Sequence, residues 1–152
     1  MKKSAGILLY KTDGKALKVM LVHPGGPFFV KKDAGVWSIP KGEFEENEDP
    51  LAAAKREFFE EIGSPVTGEF IPLGEVKQKG GKTVYCWAVE GELNTSKITG
   101  NTFKMPWPPS SGKLQEFPEV DKVEWFTLAA AIEKINPAQV LLLERLQQHL
   151  HI

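Results

Sequence analysis

Gly42-Glu43-Phe44-Glu45-Glu46-Asn47-Glu48-Asp49-Pro50, continued by Leu51-Ala52-Ala53-Ala54-Lys55-Arg56-Glu57-Phe58-Phe59-Glu60-Glu61-Ile62-Gly63, decides how this chain is read. A glycine-containing acidic loop leads into a helix expected from about Pro50 to Ile62. Asp49 can accept hydrogen bonds from the first free N–H groups, and Pro50 suits the first helical position. Gly63 is a natural stop. On such a helix Glu57, Glu60 and Glu61 project from one face, related by i, i+3 and i+4. Three like charges this close repel unless a cation sits among them, and hard oxygen ligands suit magnesium or manganese. Leu51, Phe58 and Ile62 lie towards another face and can pack on a sheet. The plainer reading of the same glutamates is a solvated acidic surface, with Arg56 and Glu60 as an ordinary i, i+4 pair.

Outward from the helix, the pattern changes period. Ala5 to Tyr10 reads as a strand, Thr12-Asp13-Gly14-Lys15 as a turn and Leu17 to Val22 as a second strand. His23-Pro24-Gly25-Gly26-Pro27 breaks the pattern into a loop, and Val36 to Ile39 is a short strand stopped by Pro40. After the helix, Glu69 to Lys77 and Lys82 to Glu90 flank a Lys79-Gly80-Gly81 turn. Asn94 to Pro118 holds Pro106, Pro108, Pro109, Pro118, Gly100 and Gly112, and reads as one long loop. Val123 to Phe126 is a last short strand and Leu128 to Ile135 is helical. Pro137 opens a final helix to about His149, striped by Val140, Leu143, Leu146 and Leu150. With no repeat and no break in composition, residues 1–152 are read as a single domain, an α/β fold with a mixed sheet between helices.

Composition narrows the class. A chain of 152 residues can bury a core without disulfides or structural metals. A formal net charge of −1 supplies no broad basic field, so nucleic acid is not the expected partner, whereas a small phosphorylated molecule held by a few lysines is compatible. The single cysteine, Cys86, lies in an apolar run and is read as a buried structural thiol. Met1-Lys2-Lys3 faintly resembles a signal peptide, but the apolar run that follows is better read as the first strand. No apolar stretch approaches a membrane-spanning length, and a cytoplasmic location, as monomer or homodimer, is the expectation.

Gly42, Glu48, Arg56, Glu57, Glu60, Glu61 and Gly63 stand at the spacings of the Nudix box: G, five residues, E, seven residues, then R-E-apolar-x-E-E-x-G-apolar. Phe58 fills the first apolar slot. Ser64 departs at the last, which is a packing position. With its lead-in Trp37-Ser38-Ile39-Pro40-Lys41, the chain resembles the Nudix hydrolase family over roughly residues 4 to 147. It is especially similar to the branch that includes diadenosine tetraphosphate hydrolases and related bacterial enzymes. The resemblance implies a Nudix-type α/β/α sandwich and bound divalent cations, Mg2+ or Mn2+. It also implies attack by water on a nucleoside diphosphate linked to another moiety.

By the same resemblance, Glu57, Glu60 and Glu61 are the metal-ligand positions, with the Gly42 carbonyl as a further ligand. Arg56 is expected to orient a box glutamate and Glu48 to tie the loop to the helix. Lys41 is a candidate for contacting phosphate or for bracing the metal loop. In several relatives a glutamate in a late loop binds metal or accepts the proton of water. Glu119 is preferred here over Glu116 because it stands six residues before Trp125. Rings that could stack on a base are Tyr85, Trp87, Phe28, Phe29 and Trp107, with Phe28 and Trp107 favoured by their proline- and glycine-rich surroundings. His23 is read as a hydrogen-bonded residue at a strand end. The preferred substrates are a nucleoside triphosphate or dinucleoside polyphosphate. A diphosphoinositol, a nucleotide sugar and a damaged nucleoside triphosphate are alternatives, as is a module that senses a nucleotide without cleaving it.

Overall fold

Every residue from Ser4 to Tyr10 is buried, and a strand buried on both faces requires cover on both sides. In the computed structural model, which describes residues 2–14, 16–96 and 98–152, that strand is central. β1 (Lys3–Asp13) runs parallel to β5 (Thr83–Glu90) on one edge and antiparallel to β2 (Ala16–Pro24) on the other. The sheet order is β4 (Ile71–Lys77), β5, β1, β2, β8 (Val120–Thr127), and β3 (Lys41–Glu43) also pairs with β1. Alternate side chains of β1 enter different cores. Ala5, Ile7 and Leu9 meet Ala53, Ala54, Phe58 and Ile62 of α1 (Pro50–Ile62). Leu8 and Tyr10 meet Ala131 of α2 (Leu128–Lys134) and Leu142, Leu143 and Leu146 of α3 (Val140–Leu150). The result is a three-layer α/β/α sandwich with a mixed sheet, as the spacing of strands and helices implied.

Helix α1 begins and ends where its sequence directs. The Asp49 carboxylate accepts from the Ala52 N–H at 2.9 Å, and Gly63, at φ 85°, donates its N–H to the Phe59 carbonyl. Elsewhere the structure corrects the sequence reading. Val36 to Ile39 is not a strand. Ser38 bridges Val22 and Trp37 bridges Ile135, each in isolation, because Pro40 cuts the segment short and lacks an N–H to extend a ladder. Strand β3, not foreseen, uses the start of the acidic loop. The last helix starts at Val140, after a 3-10 turn at Pro137–Gln139. Lys15, at the end of the expected first turn, lies outside the described residues, as do Met1 and Lys97. No helix of the described residues is long and apolar enough to cross a membrane.

The largest correction concerns the long loop. Its second half is an antiparallel hairpin of β6 (Thr102–Pro106) and β7 (Leu114–Pro118), with Phe103 opposite Phe117. Pro106 and Pro118 sit at strand ends, where a missing N–H is tolerated, so the prolines do not break the ribbon. The hairpin stands apart from the main sheet and hangs on α1. A helix ends in carbonyls with no partner in the helix. Here Asn101 donates to the Glu60 carbonyl at 2.8 Å and Thr99 to that of Ile62 at 3.2 Å. Gly100 lies so close that a Cβ would come within 2.0 Å of the Glu61 carbonyl oxygen. Gly100→Ala should therefore push the hairpin base off the helix and destabilise the protein by about 1–3 kcal/mol, the usual cost of overpacking. Urea unfolding of the two proteins measures this.

Candidate active site

One face of α1 carries the charges that the spacing placed together. Arg56 organises them. Its Nε and Nη2 donate to the two oxygens of Glu48 at 2.9 and 3.2 Å. Its Nη1 donates to Glu57 at 2.9 Å and to Glu60 at 3.1 Å. Hydrogen bonding to Arg56 holds the Glu48 carboxyl below the ordinary carboxylate range. Arg56 thus joins the acidic loop to the helix and fixes two of the three helix glutamates. Gly42 explains its own identity: a Cβ there would fall 2.0 Å from Oε2 of Glu57, so only glycine lets this carboxylate lie against strand β3.

Glu61 is the most enclosed of the set. Burial pushes its carboxyl up to about 8, with the charges of Glu119 and Glu57 adding to the rise and Lys41 opposing it. Glu57 is raised by burial and by Glu60, and Glu119 by burial and by Glu60. These mutual influences bring Glu57, Glu60, Glu61 and Glu119 into one electrostatic cluster. Glu119 reaches it through the hairpin base. Its N–H donates to the Asn101 carbonyl at 3.0 Å, while Asn101 is itself tied to Glu60, and its carbonyl accepts from Gly25 at 2.9 Å. Glu116 is elsewhere, opposite Lys104 on the hairpin.

Two cavities meet at Lys41. One, of about 150 Å³, is lined by Val22, Pro24, Ser38, Ile39, Lys41, Glu61, Glu119 and Val120. The other, of about 330 Å³, shares Pro24, Ser38 and Lys41 and adds Phe29, Gln78, Asn136 and Gln139. Lys41 forms no ion pair among the described residues, and burial, then the charge of Lys82, lowers the pKa of its ammonium. A wider cleft of about 370 Å³ lies at Lys2, Lys3, Glu43, Phe44 and the Glu48–Arg56 pair, but none of Glu57, Glu60 and Glu61 lines it.

The aromatic candidates fare unevenly. Phe29 lines the larger cavity at Lys41. Phe28 and Trp107 line neither cavity and instead pack edge to face, ring centres 5.6 Å apart, where the 25–33 loop meets the hairpin. Tyr85 packs edge-on to Phe44 at 6.0 Å, and Trp87 packs against the α1-side core. Cys86 is buried and its thiol pushed up by that burial, away from nucleophilic use. The amides of the larger cavity were not found in the sequence. Gln78, Asn136 and Gln139 come from two distant segments, and the one available signal was Gln139 inside an otherwise apolar stretch. Gln139 is fully buried, accepts from Ile39 N–H at 3.1 Å and donates to Gln78 at 3.0 Å.

The donor set fits a hard divalent ion. Among the described residues no three histidine, cysteine or carboxylate groups stand together so as to hold a metal ion by themselves. Magnesium needs none: it keeps several waters and takes one or two carboxylates together with substrate phosphate. Partly buried carboxyls raised by each other's charge are groups that a cation returns to their ionised form.

The NUDIX domain family profile matches residues 1–146, and the chain belongs to that family. An RNA pyrophosphohydrolase of Bartonella henselae is 33% identical over 66 residues, a match spanning 41% of this chain and 35% of the relative's length. In structure the chain is similar to the C. elegans Ap4A hydrolase in a binary complex, with a TM-score of 0.65, 23% identity and coverage of 99% and 98% of the two chains. It is also similar to the NUDIX domain of Shewanella oneidensis NrtR complexed with ADP ribose, at 0.65, 19%, and coverage of 97% and 87%. At these identities the structural likeness speaks for the fold.

The raised Glu61 carboxyl gives a signed expectation. A carboxyl with a raised folded-state pKa favours folding while protonated, so metal-free protein loses stability as pH climbs from the ordinary value of 4.5 towards about 8. A bound cation removes that loss. The gain in Tm on adding Mg2+ should be larger at about pH 8.5 than at about pH 6, and Glu61→Gln should flatten the metal-free profile and shrink the gain. Thermal melts with Mg2+ and with chelator test both points.

Proposed function

We propose that this protein is a divalent-metal-dependent pyrophosphohydrolase. Its proposed substrate is a nucleoside diphosphate linked to a further moiety, with a nucleoside triphosphate or dinucleoside polyphosphate preferred. One observation carries the reading: Glu61 and Glu119 line a cavity with Lys41, which forms no ion pair among the described residues, where a second cavity joins it, and Glu57 and Glu60 act on those two carboxyls by their charge. Family membership supports it. So do the names of relatives, an RNA pyrophosphohydrolase and an Ap4A hydrolase.

In this reading Glu57, Glu60 and Glu61, with the Gly42 carbonyl, hold Mg2+ or Mn2+. The ion, when bound, neutralises phosphate charge and lowers the pKa of water. Arg56 keeps Glu57 and Glu60 in place through its two Nη1 bonds. Lys41 draws a non-bridging phosphate oxygen to the junction as a point charge. Glu119, raised above the ordinary range by burial and Glu60, accepts the proton as water attacks phosphorus and the bridging P–O bond breaks. The larger cavity offers amide donors and acceptors from Gln78 and Asn136 beside the Phe29 ring, a setting for a nucleoside. Phe28, Trp107 and Tyr85 line neither of the two cavities at Lys41.

A panel of ATP, dATP, ADP-ribose, diadenosine tetraphosphate, a nucleotide sugar and a diphosphoinositol, incubated with Mg2+ and resolved by mass, tests the activity. Turnover should appear with at least one nucleotide and vanish with chelator. Saturable binding of every nucleotide without product would mean a sensing module instead. Glu60→Gln and Glu61→Gln should each lower kcat by at least about 10²-fold while the fold persists. Glu119→Gln should lower kcat with little change in KM, the mark of a group acting in the transition state.

A further inference from the structure

His23 stands one residue before the end of strand β2 and is 2% exposed, and it takes no part in the proposed chemistry. Its Nδ1 lies 2.7 Å from a carboxylate oxygen of Asp121, and its Nε2 lies 2.6 Å from the carbonyl oxygen of Lys32. The Lys32 carbonyl can only accept, so Nε2 donates to it, while Nδ1 faces the Asp121 carboxylate. Its plane is fixed by Trp37, edge-on at 5.1 Å, which in turn meets Phe126 at 4.9 Å. Removing either partner would leave a buried ring nitrogen without its hydrogen bond.

Asp121 sits where β8 departs from regular pairing. Lys122 opposes His23 and Val120 opposes Pro24, so Asp121 is an extra residue on its strand, a β-bulge. Packing records the shift. Val120 and Val123 are three residues apart, yet both join the α1-side core, where an unbroken strand would bring residues two apart to one face. A bulge turns the chain on either side of it, and the residue next to Val120 is Glu119. The other supports of Glu119 are backbone bonds to Asn101 and Gly25, which fix where its backbone lies.

We infer that His23 is a positioning residue for hydrolysis. By holding the Asp121 side chain out of the strand, with Lys32 as the second anchor of its ring, it sets the direction from which Glu119 meets the carboxylate cavity. The inference rests on the reading of Glu119 as the proton acceptor.

The test uses the full chain with Mg2+ and the fastest-turning member of the panel above. His23→Gln and Asp121→Ala are made singly and in a Glu119→Gln background. Each single variant should lower kcat about tenfold with KM within about twofold, and neither should lower it further once Glu119 is gone, because residues acting through one group are non-additive. Losses that add in full to that of Glu119→Gln, or no loss in either single variant, overturn the role of His23 and leave Glu119 standing. A wild-type rate for Glu119→Gln overturns the proton-acceptor reading itself, and this inference with it. Should His23→Gln not fold, Asp121→Ala, at a surface residue whose carboxylate is half-buried against His23, decides alone.

Discussion

Like-charge repulsion is the constraint around which this structure is arranged. Glu57, Glu60 and Glu61 occupy one face of α1, and the hairpin base brings Glu119 to the same place. Such a cluster costs folding free energy unless it is offset. Arg56 relieves two of the glutamates directly and Lys41 faces the third. The remainder of the offset comes from what the sandwich supplies elsewhere: the core on one face of β1, which holds α1 against the sheet through Ala53, Ala54, Phe58 and Ile62. The apolar side of the helix stabilises what its charged side makes costly. That residual imbalance is what a cation would relieve, since it favours the ionised form of carboxyls that burial and like charge have raised.

Much of this was legible because it is local. The helix bounds, the Asp49 cap, the Gly63 stop and the grouping of three glutamates follow from residues within two turns of one another. The strand and helix patterns pointed to a mixed sheet between helices, and the Nudix resemblance implied the sandwich. What the sequence concealed depends on distant pairs. Strand β3 exists because Gly6 leaves room: a Cβ there would lie 2.7 Å from that of Lys41. The hairpin was hidden because its prolines look like breakers until their places at strand ends are known.

The same divide runs through the site. The box glutamates Glu57, Glu60 and Glu61 are neighbours on one helix, whereas the larger cavity is assembled from Phe29, Ser38, Gln78, Asn136 and Gln139, which come from separate segments. Phe28 and Trp107, favoured by their proline- and glycine-rich surroundings, pack edge to face on each other and line neither cavity at Lys41. The bulge at Asp121 is a further case. It is a property of the pairing between β2 and β8, and no reading of either strand by itself contains it.

The hairpin is fastened at its root, where Asn101 meets both Glu60 and Glu119, and its far end carries only exposed or half-buried residues from Trp107 to Leu114. Reach and chemistry are therefore uncoupled. The tip can lengthen, shorten or change composition while the root keeps the helix and Glu119 in register. In evolutionary terms this makes the ribbon a replaceable module: a lineage could acquire a new recognition surface beside an unaltered reaction centre by insertion at the tip, and a protein engineer could graft one there.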